Sequence, residues 1–382
     1  MKKTFLPLLI VIFTFIGGFI SGTIYSNSQK INPVASSAQA AHSIKVPGFK
    51  KEPKLKEQES KVLIGYVQDF RNPDDIDYDN LTHVIFSFAH PNKDGSMLMN
   101  GDHAVKNLRT VVANAQKYDT KVILAIGGWY HINGGESYDY FKAAISSPAS
   151  RNKLVHELVS FTEKEKLHGV DIDFEHPRSQ EDARYLAEFA KELSEQLTPK
   201  GKELSIAVNA KVHSVTGTEI HSVVFEPSMF KYFDHVNLMA YDGQWDGEYN
   251  AANLSPYSYS ANIVAYWTAL FDKQGYSREK LTLGVPLYAQ PENPSVKQVS
   301  FEALINHHPD NASKDQVVLN GTTYHYNGHS TLIKKTDLAL SQKLGGMMLW
   351  EAGLDAKGKH SATALIAGEL KKQEDTRYYT RK

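Results

Sequence analysis

Short apolar runs recur along the chain, separated by polar loops and amphipathic stretches. From residue 61 the runs are KVLIGYV (61–67), LTHVIFSFA (81–89), TKVILAIGG (120–128), GVDIDFEHP (169–177), LSIAVNA (204–210), HVNLMAY (235–241), LTLGVPLY (281–288) and GGMMLW (345–350). Most are near-continuous in apolar and β-branched residues, the pattern of strands covered on both faces. Between them, apolar residues fall at helical spacing. Val105, Leu108, Val111, Val112 and Ala115 predict a helix over 102–117. Leu154, Leu158 and Phe161 predict one over 150–166, and Leu186, Phe189, Ala190, Leu193 and Leu197 one over 179–197. Further helices are expected at 259–273, 330–343 and 360–370. Eight strands, mostly separated by helices, predict an α/β fold, a closed parallel (β/α)8 TIM barrel. An open doubly wound sheet is the alternative, but no GxGxxG follows the first strand. One connection breaks the repeat. Residues 291–329, between strand seven and its helix, contain QVVLNGTTYHY, where Asn320–Gly321 between two β-rich halves predicts a hairpin. A small insert is expected there.

The ends of the chain read differently. Lys2 and Lys3 precede a long apolar run at 5–25, which reads as a signal peptide or an N-terminal membrane anchor. Ala38–Gln39–Ala40 offers a small-residue cleavage site. Residues 26–60 then read as a linker, 61–371 as the barrel and 372–382 as a charged tail. The expected location is outside the cell, secreted or anchored on the outer face of a bacterial membrane. With no cysteine in the chain, disulfides, thiolate metal sites and cysteine nucleophiles are excluded. Acidic and basic residues nearly balance, at 43 and 42, and no basic stripe provides a phosphate footprint, so no nucleic-acid partner is expected. A monomer is expected.

Candidate chemistry centres on the fourth run. Asp171, Asp173 and Glu175 alternate with Val170, Ile172 and Phe174, so on a strand the three carboxyls share one face. Neighbours lie about 6.6 Å apart at ~3.3 Å per residue. Two ionised neighbours then repel by roughly 2.5 kcal/mol at an effective dielectric near ~20. In a barrel this strand has no free edge, the apolar set suits the helix-facing side, and the carboxyls point inward. Glu175 falls at the C-terminal rim, where barrel active sites sit. Crowding there predicts that one group keeps a proton near neutral pH and serves as a general acid. A bland polar face and a divalent cation site are the other readings of three carboxyls. No clear set of additional ligands accompanies them, and His307 and His308 read as surface residues of the insert. No metal and no cofactor is expected.

The segment HGVDIDFE resembles the DGxDxDxE motif of family-18 glycoside hydrolases, the chitinases and their relatives. AIGGW (125–129) is similar to the family's SxGG segment, NLMAYD (237–242) to its M-x-Y-D, and GVPLY (284–288) and GGMMLW (345–350) to its last two strands. The resemblance spans residues 61 to 370 in the family's strand order. It implies substrate-assisted retaining hydrolysis, in which the 2-acetamido carbonyl of the substrate attacks the anomeric carbon. It further implies Glu175 as acid and then base, Asp173 as the group that orients the acetamido N–H, Asp171 as its partner beneath, and Tyr241 as donor to the acetamido oxygen. Asp242, Met239, Trp350, Trp129, Trp245, Tyr66 and Tyr288 are the implied substrate contacts, with Phe88 a weaker one. The implied partner is an N-acetylglucosamine polymer, chitin or its oligosaccharides. The alternatives are an endo-β-N-acetylglucosaminidase on N-glycans and a sugar-binding lectin without catalysis. Three departures stand out. His168 replaces the motif's first Asp, Ala125 replaces the Ser of SxGG, and Ala289–Gln290 follows Tyr288 where Gly-Arg is common. The small insert implies a shallower cleft than that of deep-grooved chitinases.

Overall fold

The computed structural model describes residues 60–379. The apolar run at 5–25 and the linker up to residue 59 lie outside them. Among the described residues no helix is long and apolar enough to cross a membrane.

Eight parallel strands close into a barrel: β1 (Val62–Gln68), β2 (His83–Pro91), β4 (Lys121–Gly127), β5 (Gly169–Asp173), β6 (Glu203–Val208), β7 (His235–Leu238), β8 (Leu281–Pro286) and β13 (Gly346–Trp350). Each pairs with the next around the ring, and β1 closes it by pairing with both β13 and β2. After a bulge between Phe86 and Ala89, β2 runs past the barrel rim and forms a hairpin with the short β3 (Met97–Leu98). Strand identity follows the apolar runs, and the differences lie at the ends. The run at 169–177 leaves the ladder after Asp173, and that at 235–241 leaves it after Leu238. Both segments carry their last side chains beyond the final strand bridge, onto the rim.

The helices are α1 (Gly101–Ala115), α2 (Ser137–Ser146), α3 (Pro148–Lys164), α4 (Gln180–Leu197), α5 (Tyr257–Gln274), α6 (Phe301–His307), α7 (His329–Ser341) and α8 (Ala362–Tyr379). Starts are written in cap residues. Ser147 precedes Pro148 and accepts from the Ser150 N–H, and Ser179 accepts from the Asp182 N–H. Helix α2 has no counterpart in the sequence reading. Its buried stripe is only Phe141, Ala144 and Ile145, and no side chain caps it. Helix α8 continues through residues read as a charged tail.

The insert begins earlier than expected. Strand β8 ends at Pro286, and Tyr288 already opens β9 (Tyr288–Pro291) of a separate four-stranded antiparallel sheet with β10 (Val299–Ser300), β11 (Gln316–Leu319) and β12 (Thr322–His325). Strands β11 and β12 form the expected hairpin. Asn320 and Gly321 both have positive φ, 49° and 81°, which suits a tight two-residue turn.

Two apolar shells result. Val170, Ile172 and Phe174 belong to the large shell between strands and helices. Inside the barrel is a small cluster of Ile64, Tyr66, Ile85, Ile123, Ala125, Ala207, Tyr241 and Met348, with Phe88, Met239 and Trp350 packed against it. The alternation of β5 thus places its carboxyls inward, as its pattern predicts.

Candidate active site

The backbone of β5 is held at the rim by β4. Gly127 and Gly128 have φ of 122° and 83°, and the Gly128 N–H donates to the Asp173 carbonyl at 3.0 Å. A Cβ on Gly127 would sit 2.2 Å from that carbonyl oxygen. The paired glycines of AIGG are therefore what lets β4 approach the middle carboxyl-bearing residue.

Asp171 is fully buried and receives three donors from three other strands. Tyr66 Oη (β1) donates to Oδ2 at 2.8 Å, and Ser205 Oγ (β6) and Asn237 Nδ2 (β7) donate to Oδ1 at 2.5 and 3.3 Å. Asn237 also donates to Tyr66 Oη at 3.1 Å and accepts from Thr282 Oγ1 at 2.8 Å. Burial nonetheless pushes Asp171 up to about 7, against the pull of these hydrogen bonds. The Ser205 hydroxyl supplies from β6 what Ala125, beside Asp171 on β4, does not. His168 is not part of this network. Its Nδ1 accepts from the Val122 N–H at 3.0 Å, ahead of β5.

Asp173 is 3% exposed, and its Oδ1 is buried with no hydrogen-bond partner among the described residues. Burial, then the charges of Glu175 and Asp171, hold this carboxyl well above the usual range. Glu175 sits at the cleft with about one-fifth of its side chain exposed. Burial and then Asp242 push it up to about 8. The stack thus runs from a tethered Asp171 through an unpartnered Asp173 to a rim Glu175 that keeps its proton at neutral pH.

The other candidate residues divide into a floor and a rim. Tyr66, Tyr241, Met239 and Trp350 gather in the barrel interior. Trp350 lies 5.5 Å from Tyr66 and 6.0 Å from Phe88, ring to ring. The peptide bonds Ser87–Phe88 and Trp350–Glu351 are cis. Gly284 makes room for Tyr241, since a Cβ there would meet the Leu238 carbonyl and the tyrosine ring. Asp242 adopts the left-handed conformation at φ 61°, and its Oδ1 accepts from Tyr288 Oη at 2.5 Å and Gln244 Nε2 at 3.0 Å. Burial raises Asp242 against those two bonds. Tyr288 therefore reaches the site through Asp242. Trp129 is 44% exposed and meets His176 edge-on at 5.0 Å, in a small pocket that also includes Asp173 and Glu175. Trp245 is 59% exposed and packs on Tyr249, 4.8 Å away, on the turn after Asp242. Gln290, at one of the departures noted above, is buried and donates to Tyr249 Oη, so it ties the insert to this aromatic pair.

Ser205, Asn237 and Thr282 were missed from sequence, as was Glu351. The last is buried and accepts from Arg71 Nε at 2.5 Å, which fixes the chain just after Trp350. Each is a polar residue inside or directly after a buried apolar run, a setting in which a hydrogen-bond partner is obligatory.

The fold and this constellation define a class, carbohydrate-cleaving (β/α)8 barrels with a stacked carboxyl strand. Residues 62–355 match the model of Glycosyl hydrolases family 18, and the chain belongs to that family. It is 27% identical over 337 residues to Probable chitinase 10 of Drosophila melanogaster, covering 74% of this chain and 14% of that protein. It is 26% identical over 230 residues to a chitinase-like effector of Moniliophthora roreri, covering 56% of this chain and 53% of that one. The chain thus spans about one-seventh and about half of these two relatives. Chitinase 1 of Aphanocladium album is 25% identical over 369 residues, with 80% and 83% covered. Among solved structures, the GH18 chitinase ChiB from the chitin utilization locus of Flavobacterium johnsoniae superposes with a TM-score of 0.68 at 25% identity, over 83% of this chain and 96% of that one.

Proposed function

We propose that this protein is an exported, endo-acting glycoside hydrolase that cleaves β-1,4-linked N-acetylglucosamine glycans by substrate-assisted retention. The observation that carries the reading is Asp173 Oδ1, a buried carboxyl oxygen without a partner, placed between a tethered Asp171 and a rim Glu175. Such an atom is matched by an incoming N–H donor, which a 2-acetamido sugar supplies.

In the proposed reaction Glu175 gives its proton to the glycosidic oxygen as the bond to C1 breaks. The acetamido carbonyl oxygen bonds to C1 from the opposite face and forms an oxazolinium ion. Asp173 accepts the acetamido N–H through Oδ1, and the positive charge forming beside it favours its ionised form against the burial that raises it, while Tyr241 donates to the carbonyl oxygen. Glu175, now ionised, takes a proton from the water that attacks C1, and both carbonyl and acid are regenerated. Asp173 ends β5 and Glu175 follows two residues later, which is poor geometry for straddling a sugar ring. The carboxyl of Asp242 comes from the segment after β7, but its Oδ1 is engaged by Tyr288 and Gln244. An internal nucleophile therefore fits better than a protein one. Trp350 is assigned the platform beneath the reacting sugar, and the exposed Trp129 and Trp245 flanking sugars. Export rests on the charged and apolar N-terminus.

Chitotetraose and a high-mannose glycopeptide, incubated side by side with the enzyme and analysed by mass spectrometry, test the substrate. Chitobiose, or trimer with an equal amount of the monosaccharide, is expected from the first. Cleavage of the glycopeptide alone would move the activity to N-glycan cores, and binding of either without turnover would make the protein a lectin.

A further inference from the structure

The opposite end of the barrel holds a second polar cluster that the proposed reaction does not use. Strand β2 opens with His83, β4 with Lys121, β6 with Glu203 and β7 with His235. The inward face can be counted back from the site. Ser205 and Asn237 point inward at Asp171, so Glu203 and His235, two residues earlier, also face the interior. Ile85 and Ile123 belong to the inner cluster, which places His83 and Lys121 on the same side. These four side chains form a layer about 6.6 Å below Asp171, at two residues of rise.

The geometry points to a zinc site in this floor, with His83, His235 and Glu203 as its three protein ligands and water as the fourth. One donor atom from each of the three lies within 4.8 Å of the others. His83 Nε2 is 3.1 Å and His235 Nε2 3.9 Å from the same oxygen, Glu203 Oε2. Donors at 2.0–2.1 Å from a tetrahedral zinc are about 3.4 Å apart, a value these two distances bracket. The two imidazoles meet edge-on, 5.1 Å apart ring to ring. The far atoms are held as outer partners of a metal site usually are. His83 Nδ1 lies 2.8 Å from Thr82 Oγ1, and Lys121 Nζ donates to Glu203 Oε1, leaving Oε2 for the cluster. His235 Nε2 is the atom that faces Glu203, and its Nδ1 is buried with no hydrogen-bond partner among the described residues, so of the three ligands His83 and Glu203 are the two held from behind. Two neutral imidazoles and one carboxylate make a mixed nitrogen and oxygen set, which suits zinc better than magnesium or calcium. At the N-terminal face of a barrel the role is to hold the fold. The metal would pin β2, β6 and β7, two of which carry Ser205 and Asn237 to Asp171.

The rival occupant is a proton, with His83 charged between Thr82 and Glu203 and Lys121 completing an ion-pair network. The full-length chain, untagged and freed of metal by chelation, is titrated with ZnCl2 and separately with CoCl2. One equivalent of zinc, a rise in Tm on zinc addition reversed by EDTA, and visible cobalt bands of a tetrahedral site are expected. Loss of an outer partner alone costs 10–100-fold, so His83→Gln and His235→Gln should each weaken zinc binding by at least ~100-fold. Lys121→Met, which removes the outer partner of Glu203 Oε1, should weaken zinc binding by about 10–100-fold without abolishing it. Absence of any cobalt band or zinc-dependent Tm shift in the unmodified protein would overturn the site. So would zinc binding that survives His235→Gln.

Discussion

Glu175→Gln lowers hydrolysis of chitotetraose by at least about 10²–10⁴-fold, the usual contribution of a positioned acid. It leaves oligosaccharide binding in place, because Gln keeps the shape and the hydrogen-bonding capacity of the protonated acid. The same variant carries a stability signature with a definite sign. In the folded protein Glu175 holds its proton up to about 8, far above the range of an exposed carboxyl. Between those two values the folded state binds more protons than the unfolded chain, so the free energy of unfolding falls as pH rises. The stabilising contribution is fully present below the unfolded value and is lost as pH rises toward 8. Gln cannot ionise. Thermal melts should therefore show Glu175→Gln gaining on the unmodified protein from pH 5 to pH 8. A variant with unaltered turnover would remove Glu175 from the reaction whatever its melt shows.

Asp173→Ala has the second largest expected effect. The unpartnered Oδ1 is assigned two tasks, fixing the acetamido N–H and offsetting the charge of the oxazolinium ion. Removing a comparable electrostatic group from an active site costs about 10²–10³ in kcat. The loss should fall on kcat more than on KM, because the charge develops after the sugar is bound. A thiazoline mimic of the bicyclic intermediate separates the roles. It should inhibit the unmodified enzyme strongly and Asp173→Ala weakly. Equal inhibition of both would detach Asp173 from the intermediate. Turnover should fall while stability does not. Asp173 is a buried carboxyl whose Oδ1 has no partner among the described residues, so its removal takes away a buried polar atom that no hydrogen bond compensates.

The parts legible in the sequence were those in which one segment carries the whole signal. The eight strands announce themselves as apolar runs, the β11–β12 hairpin as Asn320–Gly321, and the carboxyl stack as the alternation of Asp171, Asp173 and Glu175 with Val170, Ile172 and Phe174. What was not legible arises from closure of the ring. Ser205, Asn237 and Tyr66 meet on Asp171 from β6, β7 and β1, and no local spacing relates them. Their one advance sign is a lone polar residue in a buried run, as in LSIAVNA or HVNLMAY. His83, Glu203 and His235 are hidden in the same way, since three strand starts separated by long connections become neighbours only in the barrel floor. Tyr288 reads as the end of an apolar strand. It opens the insert sheet instead, and its hydroxyl holds Asp242. Helix α2 was missed because a three-residue stripe between Gly134–Gly135 and Ser147–Pro148 leaves little periodicity to detect.

Burial, reinforced by the charge of Asp242, keeps a proton on the carboxyl at the rim. The pH dependence of kcat/KM on chitotetraose reads the free enzyme's acid directly. Because the three carboxyls are coupled, the profile reports the stack as a unit. Full activity through neutral pH and a descending alkaline limb near 8, absent from the residual rate of Glu175→Gln, are expected. A descending limb at pH 4 to 5, where an ordinary exposed carboxyl loses its proton, would contradict this.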